Sequence, residues 1–193
     1  EKEITPVINE IDEKEEFSID ILKKMSEMGL LGIFVSNAYG GADMNYLSYI
    51  IAVEELARVD ASQAATIAAG NSLGIGPIFY FGSEAQKEAY LPKLCNGEIL
   101  ASFGLTEPNA GSDAGGSRTT AKLVNGKWVI NGSKIFITNS STPVSGVCIV
   151  QAITGVQSNN QKELSCILVP NGTKGFEAKE MHKKMMWRSS NTG

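Results

Sequence analysis

The sequence predicts a multi-domain α and β chain, with an all-α N-terminal helical domain followed by a β-sandwich or open β-barrel middle domain that is incomplete at its C-terminus. Three observations lead there. Before about residue 100, apolar residues recur at helical spacing beside helix-capping signals. After Gly97 the period shortens to brief β-prone runs. Two Asn-Gly dipeptides then stand between those runs, and Asn-Gly supplies the positive φ that tight hairpin turns need. The expected division is 1–99 for the helical domain and 100–193 for the β-domain.

The helical elements follow in order. Ser18 is a candidate N-cap, followed by Ile21, Leu22, Met25 and Met28 at helical spacing, with Gly29 where a left-handed C-terminal residue belongs. Tyr39-Gly40-Gly41 reads as a turn. A second amphipathic helix starts near Asn45, with Tyr49, Ile50, Val53, Leu56 and Ala57 on one face and Glu54, Glu55 and Arg58 opposite. The stretch 60–81 is rich in Ala, Gly and Ser and almost free of charge. It predicts a buried central helix, interrupted by Gly74, Gly76 and Pro77. Ser83-Glu84-Ala85-Gln86 is a capping box that opens a helix expected to end before Pro92.

In the β half, Leu100 to Leu105 is a strand candidate. Runs on either side of Asn125-Gly126 and Asn131-Gly132, ending at Thr138, predict a three-stranded antiparallel meander. Val147 to Ala152 and Cys166 to Val169 give two more strands.

Composition removes several function classes. Of the 193 residues, 42% are hydrophobic and 20% charged, ordinary values for a chain with a buried core. The net charge of −4 and the lack of a basic, aromatic-interleaved patch argue against nucleic acid. No apolar run is long enough to span a membrane, and no signal peptide precedes the first helix. Cys95, Cys148 and Cys166 are widely spaced and the single histidine is His182, so no zinc site is expected and the cysteines read as reduced. The cluster from Lys179 to Lys184 reads as a solvated face, and His182 as a surface residue. Asn131, Asn139 and Asn171 sit in Asn-x-Ser/Thr sequons but read as turn residues. Both ends look cut: the chain starts without methionine inside a helical pattern and stops after a polar turn, so it is expected to be part of a longer protein.

The densest functional candidate is Phe103-Gly104-Leu105-Thr106-Glu107-Pro108-Asn109-Ala110-Gly111-Ser112-Asp113. It offers hydroxyls at Thr106 and Ser112 and a small-residue backbone open to close approach, which suits an anionic or heterocyclic ligand. An ordinary domain linker has the same composition, and physics alone leaves both readings open. Gly111 to Gly116 lacks the G-x-G-x-x-G spacing, and no Walker A sequence occurs, so dinucleotide and P-loop folds are rejected.

The loop resembles the acyl-CoA dehydrogenase signature T-E-P-x-A-G-S-D. Further matches come in the family's order. They are Leu30-Leu31-Gly32-Ile33 with Tyr39-Gly40-Gly41, then Glu54 to Asp60, then Gly82 to Lys87 with Tyr90-Leu91-Pro92. Gly132-Ser133-Lys134 with Ile137-Thr138-Asn139 follows, and Trp187-Arg188-Ser189-Ser190 closes the series. The resemblance covers nearly the whole chain. It implies FAD as cofactor, with Phe103, Leu105 and Thr106 along the isoalloxazine. It puts Gly111 and Ser112 toward the pyrophosphate, Ser112 also toward acyl-CoA, and Phe136, Ile137 and Thr138 on the other wall. Phe136 replaces a frequent tryptophan, and the Thr138 hydroxyl is implied to bond near flavin N5. Met186 stands where the family usually has glycine, so an altered turn is expected there.

The implied reaction is oxidation of acyl-CoA to trans-2-enoyl-CoA. The α-proton goes to a glutamate outside this chain, so none of these residues is catalytic. The family further implies an electron-transfer flavoprotein as acceptor, a homo-oligomer (tetramer or dimer), a role in fatty acid β-oxidation, and a cytoplasmic or, in a eukaryote, mitochondrial-matrix location. An acyl-CoA oxidase, or a non-catalytic flavin- or CoA-binding module, would share these motifs.

Overall fold

The computed structural model describes all residues from Glu1 to Gly193. Six helices lead into five strands. The helices are α1 (Ile8–Glu13), α2 (Ile19–Glu27), α3 (Tyr46–Ala57), α4 (Ala61–Ala69), α5 (Gly76–Phe81) and α6 (Glu84–Cys95). The strands are β1 (Leu100–Gly104), β2 (Thr120–Val124), β3 (Lys127–Asn131), β4 (Ser145–Val156) and β5 (Lys162–Pro170).

The capping signals act as read. Ser18 accepts from the Ile21 amide at 3.2 Å, and Ile21, Leu22 and Met25 are buried. Met28 departs from that face: it lies past the helix end and is exposed. Asn45 caps α3 by accepting from Ser48 N. Only part of the expected α3 face is buried, through Tyr49, Val53 and Leu56, while Ile50 stays exposed with Tyr46, Leu47 and Ile51. Ser83 and Gln86 form both bonds of the capping box.

The central segment is one helical path in which α4 passes through a π-helical turn, Gly70–Ile75, into α5. Pro77 falls at the junction of the π-helical turn and α5, where the regular i→i−4 bonding ladder is already interrupted. Gly74 faces β1 so closely that a Cβ there would lie 2.8 Å from the Ala101 carbonyl oxygen, which explains a glycine at that position. Asn71, on the same turn, is fully buried and stitches the 30–33 loop to the helix. Its Oδ1 accepts from Ile33 N at 3.1 Å, and its Nδ2 donates to Leu30 O at 2.8 Å and Ile67 O at 3.0 Å.

One helix boundary is corrected. α6 does not end before Pro92 but runs through it to Cys95. Proline removes only the bond to the Glu88 carbonyl, and Glu88 is exposed to water. Leu91, Leu94 and Cys95 are buried and hold the last turn in place, and Asn96 N still reaches Pro92 O at 3.1 Å.

The strands form a single five-stranded mixed sheet. Twelve-residue β4 is its spine: β1 runs parallel to it, β5 antiparallel, and β2 joins it at Thr120–Ile153. The β2–β3 hairpin turns on Asn125-Gly126, with φ of 51° and 75° as the primed turn requires. The third meander strand is not formed. Neither Asn131 nor Gly132 has positive φ, so no second hairpin closes. Residues 133–138 instead run across to the loop after β1 and to the 191–193 segment. The expected sandwich is therefore represented here by one sheet and this crossing segment.

Successive residues of β4 face opposite ways. Val147 and Ile149, with Leu100 and Ala101 of β1, join a 17-residue core that also takes in α2, α4, α5 and α6. Cys148 and Val150, with Val169, face the other side. The sheet thus shares a core with the helices on one face and leaves the other face to a cleft of about 850 Å³.

Candidate functional site

The candidate site grows from the point where β1 leaves the shared core. Phe103 packs partly against that core, and the chain then turns out through Leu105 and Thr106. Glu107 and Ala110 close the loop on themselves by a pair of backbone bonds of 2.9 and 3.1 Å. Beyond it Gly111 and Ser112 are exposed, and a Cβ at Gly111 would meet nothing within 4 Å. Asp113 accepts from Gly116 N at 3.1 Å, so its carboxylate is used locally.

The second segment, 133–138, lies directly beside the first. Ile135 N donates to Thr106 O at 2.9 Å, and Lys134 Nζ donates to Leu105 O at 3.0 Å. Its far end is held by the chain terminus. Ile137 and Gly193 exchange backbone bonds of 2.8 and 2.9 Å, and Asn139 N reaches Asn191 O at 3.1 Å. Asn139 also donates to Thr66 O at 3.1 Å, fastening the segment to α4.

Lys134, Ile135 and Ile137 line the cleft behind, whereas Phe136 and Thr138 do not. Ile137 is buried, so its side chain anchors the segment. Phe136 is 60% exposed and holds φ at +63°. A bulky residue in the left-handed region is strained, and such strain concentrates at functional sites. Thr106, Ser112 and Thr138 leave their hydroxyls without a partner in the chain, in contrast to Ser117 and Ser140, which donate to Glu107 and to Ile137 O.

The structure therefore brings Leu105, Thr106, Phe136 and Thr138 together on two adjacent segments, whereas Ile137 is buried and lines the cleft behind them. Phe103 flanks these segments from the core, and Gly111 and Ser112 sit on the open loop beyond.

Beneath the surface lies a pair that sequence reading did not single out. Glu107 and Lys134 form an ion pair of 2.8 Å, with side chains 6% and 11% exposed. Glu107 also accepts from Ser117 Oγ at 2.6 Å, Arg118 N at 2.7 Å and Thr119 N at 2.9 Å. Burial works against the charged carboxylate, but Lys134 and these donors outweigh it and hold the carboxyl well below its ordinary range. The available signal was a lysine directly before the apolar run Ile135-Phe136-Ile137 and a carboxylate in a small-residue loop.

At the C-terminal end, Arg188 donates through its backbone N, Nε and Nη2 to Asp12 at 3.2, 2.9 and 2.6 Å. Near Met186, where an altered turn is expected, the positive φ falls on the next residue, Trp187, at 54°. The 179–184 cluster is also not wholly solvated: Lys184 is part-buried and donates to Ser190 O and Thr192 Oγ1. Burial lowers its affinity for the proton. His182 is exposed as expected. All three cysteines are free.

Family models for the N-terminal and middle domains of acyl-CoA dehydrogenase match residues 1–98 and 102–193. The chain belongs to the acyl-CoA dehydrogenase family. A probable acyl-CoA dehydrogenase of Bacillus subtilis is 44% identical over 191 residues, which are 99% of this chain and 50% of that protein. The solved butyryl-CoA dehydrogenase of Megasphaera elsdenii is 40% identical with a TM-score of 0.90, over 99% of this chain and 50% of its own. A glutaryl-CoA dehydrogenase of Mycobacterium smegmatis, solved in complex with FADH2, is 34% identical with a TM-score of 0.91, over 98% of this chain and 47% of its own. The chain thus spans about half the length of the relatives it matches. No helix is long and apolar enough to cross a membrane.

Proposed function

We propose that this chain is the flavin-facing half of an FAD-dependent acyl-CoA dehydrogenase, with a helical domain at 1–99 and a β-domain at 100–193. One observation carries the reading: two segments hydrogen-bonded side by side present unpartnered hydroxyls next to an exposed, strained aromatic ring. That surface fits a flavin. A flat heterocycle needs an apolar plane to stack on and hydroxyl or amide groups at its edge. Phe136 offers the plane, Thr106 and Thr138 the edge donors. Gly111 and Ser112 offer open backbone and a hydroxyl for an anionic tail or for the acyl-CoA.

When bound, FAD supplies the acceptor for the substrate's β-hydride. This chain's residues orient and enclose. Phe136 excludes water from one face, and the Thr138 hydroxyl donates where charge changes during the reaction. Neither carboxylate of the flavin loop is free to take the α-proton: Glu107 is consumed by its four donors and Asp113 by its turn. As the family resemblance implies, the base is a glutamate outside this chain. A short acyl-CoA such as butyryl-CoA is the first substrate to try, given the Megasphaera relative. An electron-transfer flavoprotein as acceptor, a homo-oligomeric state, a place in β-oxidation and a cytoplasmic or matrix location complete the proposal.

The test is an anaerobic titration of the full-length protein with acyl-CoAs of increasing length. Bleaching of the flavin's visible band with formation of 2-enoyl-CoA is expected. A flavin-free protein, or a flavin that no acyl-CoA bleaches, refutes the reading.

A further inference from the structure

The buried Lys134–Glu107 pair calls for a reason. Two charges taken out of water gain little net stability, and apolar replacements of such pairs are often neutral or better. What a buried pair does supply is a fixed register between the segments that carry it. Here it joins three of them. Glu107 belongs to the loop after β1, Lys134 to the crossing segment, and Ser117, Arg118 and Thr119 to the lead-in of β2.

Lys134 has three donors and a partner for each: Leu105 O at 3.0 Å, Glu107 Oε1 at 2.8 Å and Ser117 Oγ at 3.2 Å. Its stem passes Gly104, where a Cβ would come within 3.2 Å of Lys134 Cγ. The hairpin that could have ordered this segment is absent, since residues 133–138 form no strand. The remaining direct link between the two segments is the Ile135 N to Thr106 O bond.

We propose that Lys134 and Glu107 are positioning residues: their ion pair is the clamp that sets Leu105–Thr106 against Phe136–Thr138 and so fixes the flavin's two walls relative to each other. The proposal rests on the flavin reading above. It assigns no contact with flavin or substrate to either side chain, since both lie beneath the surface. A displacement of about 1 Å at such a site can cost on the order of a hundredfold in rate.

The test uses the full-length holoenzyme with Lys134→Met, Lys134→Arg and Glu107→Gln. Four quantities are read: FAD content, the flavin's visible circular dichroism, its midpoint potential, and hydrogen exchange at the Ile135 amide. Lys134→Met is expected to alter the dichroism and the potential and to slow substrate reduction of the flavin by about tenfold to a hundredfold. Its Ile135 amide should exchange at least about tenfold faster, the factor that goes with loss of one ordinary hydrogen bond. Lys134→Arg, which keeps the cation, should recover part of each change, and Glu107→Gln should fall between the two. If Lys134→Met does not fold, the other two variants carry the same comparison. Wild-type dichroism, potential and reduction rate in a folded, flavin-loaded Lys134→Met or Glu107→Gln would overturn the proposal. A wild-type protein that takes up no FAD would defeat the flavin reading instead, and Ile135 exchange in the apoprotein would still decide whether the clamp exists.

Discussion

Replacing Phe136 by glycine separates a residue kept for a ligand from one kept for the core. Phe136 is 60% exposed and holds φ at +63°. A left-handed backbone costs an L-residue about 1–2 kcal/mol, which glycine does not pay. Against that relief stand two losses. Full burial of a phenylalanine contributes at most about 3 kcal/mol, and with under half of its surface covered this ring contributes about 1 kcal/mol. Glycine's extra freedom in the unfolded chain costs about 0.5–1 kcal/mol more. The terms nearly cancel, so Phe136→Gly should leave apoprotein stability within about 1 kcal/mol of wild type, whereas a buried phenylalanine cut back this far loses about 3–5 kcal/mol. Urea unfolding of the apoprotein, followed by far-ultraviolet circular dichroism, gives the comparison. The same variant should release FAD faster. A stability loss above about 2 kcal/mol with unchanged FAD release would mean that Phe136 is a packing residue and that the strain argument is wrong.

Three other outcomes are expected. Thr138→Ala should slow flavin reduction in stopped flow more than it weakens FAD retention, because the lost hydroxyl matters most where charge changes; equal reduction rates would contradict this. Asn71→Ala strands the Ile33 N–H and the Leu30 carbonyl, which have no other partner, and should cost about 2–6 kcal/mol at about 1–3 kcal/mol per orphaned group in urea unfolding. Glu107 titrates below its ordinary 4.5 in the folded state, so the folded protein binds fewer protons than the unfolded chain as pH falls through that range. Its stabilisation is therefore complete above about pH 4.5 and lost at lower pH, and the gap between wild type and Glu107→Gln, of the order of 3 kcal/mol at neutral pH, should narrow on acidification.

Much of this molecule is legible in the sequence because local chemistry decides it. Ser18, Asn45 and Ser83 cap the helices they precede, since a side-chain acceptor one residue ahead of an apolar repeat has few other uses. Asn125-Gly126 makes its hairpin because both residues tolerate positive φ. The errors come where tertiary bonds overrule local preference. Asn131-Gly132 carries the same dipeptide, yet Lys134 and Ile135 find better partners in the loop after β1 than a third strand would give them. Pro92 stays inside α6 because the burial of Leu91, Leu94 and Cys95 outweighs one lost bond at an exposed carbonyl. Of the candidate site, the two segments could be found by motif. Their side-by-side bonding could not, because Lys134 and Glu107 stand 27 residues apart with nothing local to pair them.

The most direct test of the central claim is a structure of the full-length protein with FAD bound. The flavin is expected on the surface formed by Leu105, Thr106, Phe136 and Thr138, with the Phe136 ring against the isoalloxazine and the Thr138 hydroxyl bonded to its edge. Flavin lodged instead in the roughly 850 Å³ cleft behind, among Trp128, Cys148, Val169 and Phe176, would contradict the account.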